Sequence, residues 1–179
     1  EITLGNILFL QYQDMAKRGE KAAAAKGFEE IYVHKLYTDK VKYQAAFFAA
    51  MLSLEMGETV KSYHWLELAH ARMTDEQWKE RRDEELKLTE RMYRLQDFVT
   101  SFNMTKLHLK KFCDMKDDIQ SRFFEIGIMT SLVEENSKVA EGMLSSFSRC
   151  INKPELVNQG LTQIYQFLEK KGDFHALRL

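Results

Sequence analysis

Apolar residues recur every three or four positions along nearly the whole chain, and this periodicity constrains the fold more than any other feature. Such spacing lines one face of an α-helix, whereas a half-buried strand alternates every second residue. One proline and eight glycines in 179 residues leave few of the turns that an all-β fold needs. The expected fold class is therefore all-α. Hydrophobic residues make up 45% of the chain, which is ample for a core and excludes intrinsic disorder. Lys and Arg number 26 against 27 Asp and Glu, so no global basic field exists to hold a nucleic-acid backbone.

The stripes divide the chain into about eight helical segments. Leu4, Leu8, Tyr12 and Met15 share a first face that ends near Gly19, and Ala24, Phe28 and Ile31 share the next. Thr38-Asp39 offers a cap for a third segment through Tyr43, Phe47, Ala50 and Leu54, which Gly57 ends. Ser62, Leu66, Ala69 and Met73 form a fourth stripe, and Thr74 with Gln77 reads as a capping box opening a fifth. The fifth carries 14 charged residues between Asp75 and Asp97, then apolar positions at Leu88, Met92, Leu95, Val99 and Phe102. Asn103 and Thr105 offer the next break. A sixth segment runs through Phe112, Met115, Ile119, Ile126, Met129 and Val133, with Arg122 in the missing step and Gly127 as an expected bend. Residues 75–134 thus read as a long helical hairpin. Neither seam sustains the roughly three to four heptads of a coiled coil, which favours two ordinary amphipathic helices on one core. Asn136-Ser137 caps a seventh segment, and Lys153-Pro154-Glu155 starts an eighth that stops at Gly172. These last two make a hairpin over 136–171. No linker composition divides the chain, so a single domain over 1–179 is expected. A first residue of Glu1 rather than Met reads as a piece of something longer.

Cys113 and Cys150 sit in apolar-periodic stretches without a CxxC spacing. Two buried thiols are the preferred reading over a disulfide, which favours a reducing, cytoplasmic setting. Ile7 to Leu10 is the longest apolar run near the start and is far too short to span a bilayer.

Two of the hairpins share a register. Ala24, Phe28 and Ile31 follow Gly19 at offsets of 5, 9 and 12, and Ser62, Leu66 and Ala69 follow Gly57 at the same offsets. A glycine permits a tight corner with positive φ, a small residue lets two helices approach, and a bulky one fills the groove between hairpins. The glycines lie 38 residues apart, a spacing typical of helical solenoids. Residues 4–73 here resemble the tetratricopeptide repeat family, with Ala50 at a further matching position. Lys21 and Thr59 depart from its aromatic position, Ile31 from a small one, and no proline closes either repeat. Gly172-Asp173-Phe174 resembles the same turn. The resemblance implies antiparallel hairpins stacked as a right-handed superhelix, and adaptor work without catalysis.

Chemistry-bearing motifs are sparse. His64, Glu67 and His70 share a helix face at the spacing of a di-metal bundle. A second Glu-x-x-His is missing, so a polar helix face is the stronger reading and no cofactor or metal is expected. Phosphate-binding glycine loops and nucleophile elbows are also missing. Cys113 follows Lys110-Lys111 but precedes Asp114 and Asp117, and reads as structural. The leading expectation is a scaffold that holds a peptide or partner helix in a concave groove drawn from Gln11, Gln13, Asp14, Lys42, Gln44 and Phe48. The alternative is a regulatory or sensor domain of a larger protein that binds a small signal and dimerises through residues 75–134.

Overall fold

The computed structural model describes residues 4–172. Among these are nine α-helices and no strand: α1 (Leu4–Lys17), α2 (Lys21–Val33), α3 (Asp39–Glu55), α4 (Thr59–His70), α5 (Asp75–Arg94), α6 (Phe98–Lys111), α7 (Asp118–Val133), α8 (Ser137–Phe147) and α9 (Pro154–Lys171). The all-α expectation holds. None of the helices is long and apolar enough to cross a membrane. The chain groups into two compact units, one up to Glu84 and one from Glu85 onward. The division falls inside α5, which is why no linker composition marks it.

In the first unit α1 packs on α2, α2 on α3, α3 on α4, and α1 also reaches α3. Helix α3 is buried on most sides because Ala45, Ala46, Ala49 and Ala50 let its neighbours approach closely. Phe28, Phe47, Leu54 and Leu66 fill the space between. The caps are those read from the sequence. Thr38 accepts the Val41 N–H, and at the start of α5 Thr74 and Gln77 exchange hydrogen bonds of 2.9 and 3.3 Å. In the second unit α6 packs on α7, α7 on α8, α8 on α9, and α7 on α9. Its core gathers Leu109, Phe123, Phe124, Ile128, Met143, Leu144, Ile164 and Leu168.

One corner recurs in both units. Gly19, Gly57, Gln96, Glu135 and Gly172 all have positive φ, between 54° and 90°. They lie 37 to 39 residues apart, and each follows α1, α3, α5, α7 or α9. At the first four, the next residue's N–H reaches back to a carbonyl five positions earlier: Glu20 to Met15, Glu58 to Ser53, Asp97 to Met92, Asn136 to Ser131. This is the Schellman closure, which satisfies carbonyls that the helix end leaves without partners. Five residues past those four corners stand Ala24, Ser62, Ser101 and Ala140, each 0% exposed. Nine past stand Phe28, Leu66, Thr105 and Leu144, all buried. Glycine marks only three of the corners, so letters alone revealed two hairpins and a possible third turn.

The middle of the chain departs from expectation. The fifth segment was read through to Phe102, but α5 ends at Arg94 and the chain turns at Gln96. Asp97 then caps α6 by accepting the Thr100 N–H at 3.0 Å. Asn103 and Thr105, expected as the break, lie inside α6. The apolar spacing crosses the corner and leaves Leu95 and Val99 exposed. The sixth segment is likewise interrupted, by a 3₁₀ turn at Cys113–Met115, left-handed Lys116, and Asp117 capping α7. Residues 75–134 therefore hold three helices, and the long two-helix seam proposed for dimerisation is absent. Gly127 marks no bend. It lies buried in continuous α7, where a Cβ would come within 2.4 Å of Met143 Cε and 2.8 Å of Thr105 Cγ2. Its role is close approach, not weakness.

The cysteine reading is corrected too. Cys113 and Cys150 form a disulfide, and the thiol argument for a reducing compartment goes with it. Helical periodicity placed both residues inside helices. They lie instead in the 3₁₀ turns that follow α6 and α8, which pack on each other. Gly172 closes α9 as expected, while Asp173 to Leu179 lies outside the described residues.

The corners make a stability prediction. In urea denaturation, Gly19→Ala and Gly57→Ala lose about 1 kcal/mol, because a Cβ disfavours left-handed backbone. Gln96→Gly and Glu135→Gly gain up to about 1 kcal/mol for the same reason. A destabilised Gln96→Gly protein would contradict the shared corner.

Candidate functional site

Clefts open between the first helices of successive hairpins. In the first unit, Lys40, Tyr43 and Gln44 of α3 face Gln77, Glu80, Arg81 and Glu84 of α5 across about 470 Å³. The Arg81 guanidinium lies 5.0 Å over the Phe47 ring and 2.6 Å from Glu84, so its fork is held in place rather than free in solvent. In the second unit, Glu90, Tyr93 and Arg94 of α5 face Arg122, Ile126 and Met129 of α7 across about 240 Å³. A further cleft of about 140 Å³ lies between α7 and α9, with Arg122, Glu125 and Met129 opposite Leu156, Gln159 and Gln163.

Arg122 lines both of these second-unit clefts. Its Nε donates to Glu90 at 2.7 Å and its Nη1 to Glu125 at 2.9 Å. These bonds, Glu90 first and Glu125 next, raise its pKa above the ordinary guanidinium value and keep it charged. The residue that broke the apolar seam in the sequence thus anchors two carboxylates at the cleft wall. Met129 adds a pliable apolar floor. Gln159 and Gln163, one turn apart on α9, are exposed amides that both donate and accept. This arrangement suits recognition of a chain with its own backbone polar groups. It offers no nucleophile with a base beside it.

The six residues expected to line a groove are not gathered in one place. Gln44 lines the first-unit cleft. Lys42 is half-buried on α3, and Gln13 is half-buried on α1. Gln11 and Asp14 are exposed on α1, where Asp14 pairs with Arg18 at 3.4 Å. Phe48 belongs to packing: its ring meets Phe9 edge-on at 5.2 Å and Phe28 at 5.5 Å. Arg81, Arg122, Gln159 and Gln163 were missed, because nothing in their spacing separates them from a solvated helix face.

The histidine cluster on α4 does not converge. His70 stacks on Trp78 at 4.0 Å, and Tyr63 donates to Glu67. Among the described residues no group of three His, Cys, Asp or Glu is placed to hold a metal ion. The titratable pair of the interior lies elsewhere. His108 Nε2 and Glu85 Oε2 are 2.5 Å apart, with both side chains fully buried. The His108 ring stacks on Phe123 at 4.2 Å, and Gln120 donates to the His108 carbonyl at 3.4 Å. Thr89 donates to the Glu85 carbonyl at 2.8 Å. With both side chains at 0% exposure the pair joins α5 to α6 inside the second unit.

Two measurements test these assignments. Replacing His108 by Leu takes one buried hydrogen-bonding partner from Glu85 and costs about 1 to 3 kcal/mol in chemical denaturation, and in a Glu85→Leu/His108→Leu cycle the two losses are less than additive. A fully additive double variant would contradict the coupling. Burial first, then the Glu67 charge and hydrogen bond, raise the Tyr63 pKa above its ordinary value. A raised folded-state pKa gives stability that is complete below the unfolded value near 10 and is lost as pH rises through the folded one. Absorbance titration of phenolate therefore shows a late-ionising tyrosine that Tyr63→Phe removes, and an unchanged curve would refute the assignment. No family model, curated protein or solved structure matches the chain.

Proposed function

We propose that this protein is a non-catalytic interaction scaffold, built of tetratricopeptide-like stacked hairpins, that binds an extended peptide or a partner helix along its first helices. The observation that carries the reading is that three clefts fall between successive first helices. The four corners that match in angle and closure, with left-handed Gly172 after α9, support a repeat. So does the packing of α1 on α3 and of α7 on α9, which in each unit joins first helices of consecutive hairpins. Helices lined up in this way leave one face of first helices open to a ligand. The cleft walls combine fixed guanidinium groups, amides and a methionine floor, the residue types that read a peptide without acting on it. The sensor reading shares these clefts, but its dimerising hairpin has no counterpart among α5, α6 and α7.

Selection from a random-peptide display library tests the proposal. Enriched peptides bind the purified chain in calorimetry. Arg122→Ala or the Gln159→Ala/Gln163→Ala pair weakens that binding by about tenfold or more, while Val60→Ser at an exposed position of α4 leaves it unchanged. An unenriched library, or peptides indifferent to the cleft substitutions, would overturn the scaffold reading.

A further inference from the structure

We infer that the Cys113–Cys150 bond is a redox-controlled clamp on the α7–α9 cleft. The argument starts from where the bond lies. Cys113 belongs to the turn leading into α7, and Cys150 to the turn leading into α9. The cleft is lined by those same two helices, from Arg122 to Met129 on α7 and from Leu156 to Gln163 on α9. Besides the disulfide, an ion pair ties the two helix starts together, Lys153 to Asp118 at 2.6 Å. Asp118 is 87% exposed and Lys153 42%, so this pair is screened and weak. The covalent bond is therefore the firmer of the two ties between the helix starts, beside the apolar packing of α7 on α9.

The two cysteines differ in exposure. Cys150 is 1% exposed, whereas Cys113 is only partly buried. A dithiol reductant thus reaches the Cys113 sulfur first. Its thiolate attacks Cys113 Sγ, the S–S bond breaks, and Cys150 leaves as a thiolate that takes up a proton. The reductant's second thiol then displaces Cys113 from the mixed disulfide. Two electrons pass from the reductant, which ends as a disulfide, to the protein, which ends with two thiols. In the reduced form the helix starts are held by packing and the Lys153–Asp118 pair alone, and the cleft loosens. The inference deepens the binding reading and rests on it for what the cleft holds. The opening itself does not depend on any ligand.

The test compares air-oxidised chain with chain reduced by dithiothreitol and alkylated. Peptide mass mapping finds the Cys113–Cys150 cystine before reduction. Hydrogen exchange in the first turns of α7 and α9 then speeds by about tenfold or more on reduction, while α1 to α4 and the circular dichroism spectrum stay unchanged. Lys153→Gln adds to the opening of the reduced form and has little effect on the oxidised one. A Cys113→Ser/Cys150→Ala variant behaves as the reduced chain does. The clamp is overturned if no cystine forms, if exchange in α7 and α9 is indifferent to reduction, or if the whole second unit loses protection together. A peptide selected as above binds the two redox forms with different affinity. Failure to select any peptide removes the binding reading and leaves the clamp to stand or fall on exchange.

Discussion

The left-handed corner that closes each first helix is the interaction on which the rest depends. One residue with positive φ lets two backbone N–H groups fold back onto the last carbonyls, and so turns the chain within three residues. Because the turn is tight, the second helix starts at a fixed register. That register brings Ala24, Ser62, Ser101 and Ala140 to positions where only small side chains fit between helices. The burial of the bulky residues four positions on follows from the same geometry. Within each unit two of the first helices also pack on one another, α1 on α3 and α7 on α9.

The two units meet their packing needs differently. The first relies on alanines and a cluster of tilted and edge-on rings, Phe9 with Phe28 and Phe48. The second buries Glu85 against His108, carries hydroxyls at Thr89, Ser101 and Thr105, and closes its turns with a disulfide. A buried charged or polar pair adds little net stability over an apolar one, but it penalises any register that separates the partners. A closed loop of 37 residues narrows the unfolded ensemble and contributes about 3 to 4 kcal/mol in the chain-entropy account.

Most of the helices were legible from apolar spacing and caps, since Thr38, Thr74, Asn136 and Pro154 all mark real starts. The stretch around Gln96 was not. Its apolar residues keep a helical spacing straight through a corner, and glutamine carries no turn signal of its own. Asp97 was the overlooked clue, an acidic cap directly before an apolar run. The disulfide was hidden because both cysteines fit helical stripes that the chain interrupts at those points. Of the site, only Gln44 was foreseen at a cleft. Arg122 had been noticed as a flaw in a seam; Glu125 follows it by one turn on α7, but Glu90 lies on α5, which a linear reading does not join to it.

Around Gly19 and Gly57 an added Cβ would meet nothing within 4 Å. Those corners are thus governed by torsion and not by space, and a residue that tolerates the left-handed region, such as asparagine, would serve in either. Gln96 and Glu135 hold the same left-handed backbone without glycine. An architecture held this way can shed its most recognisable letters one at a time without altering its course, so kinship among such chains is better sought in backbone angles than in residue identity.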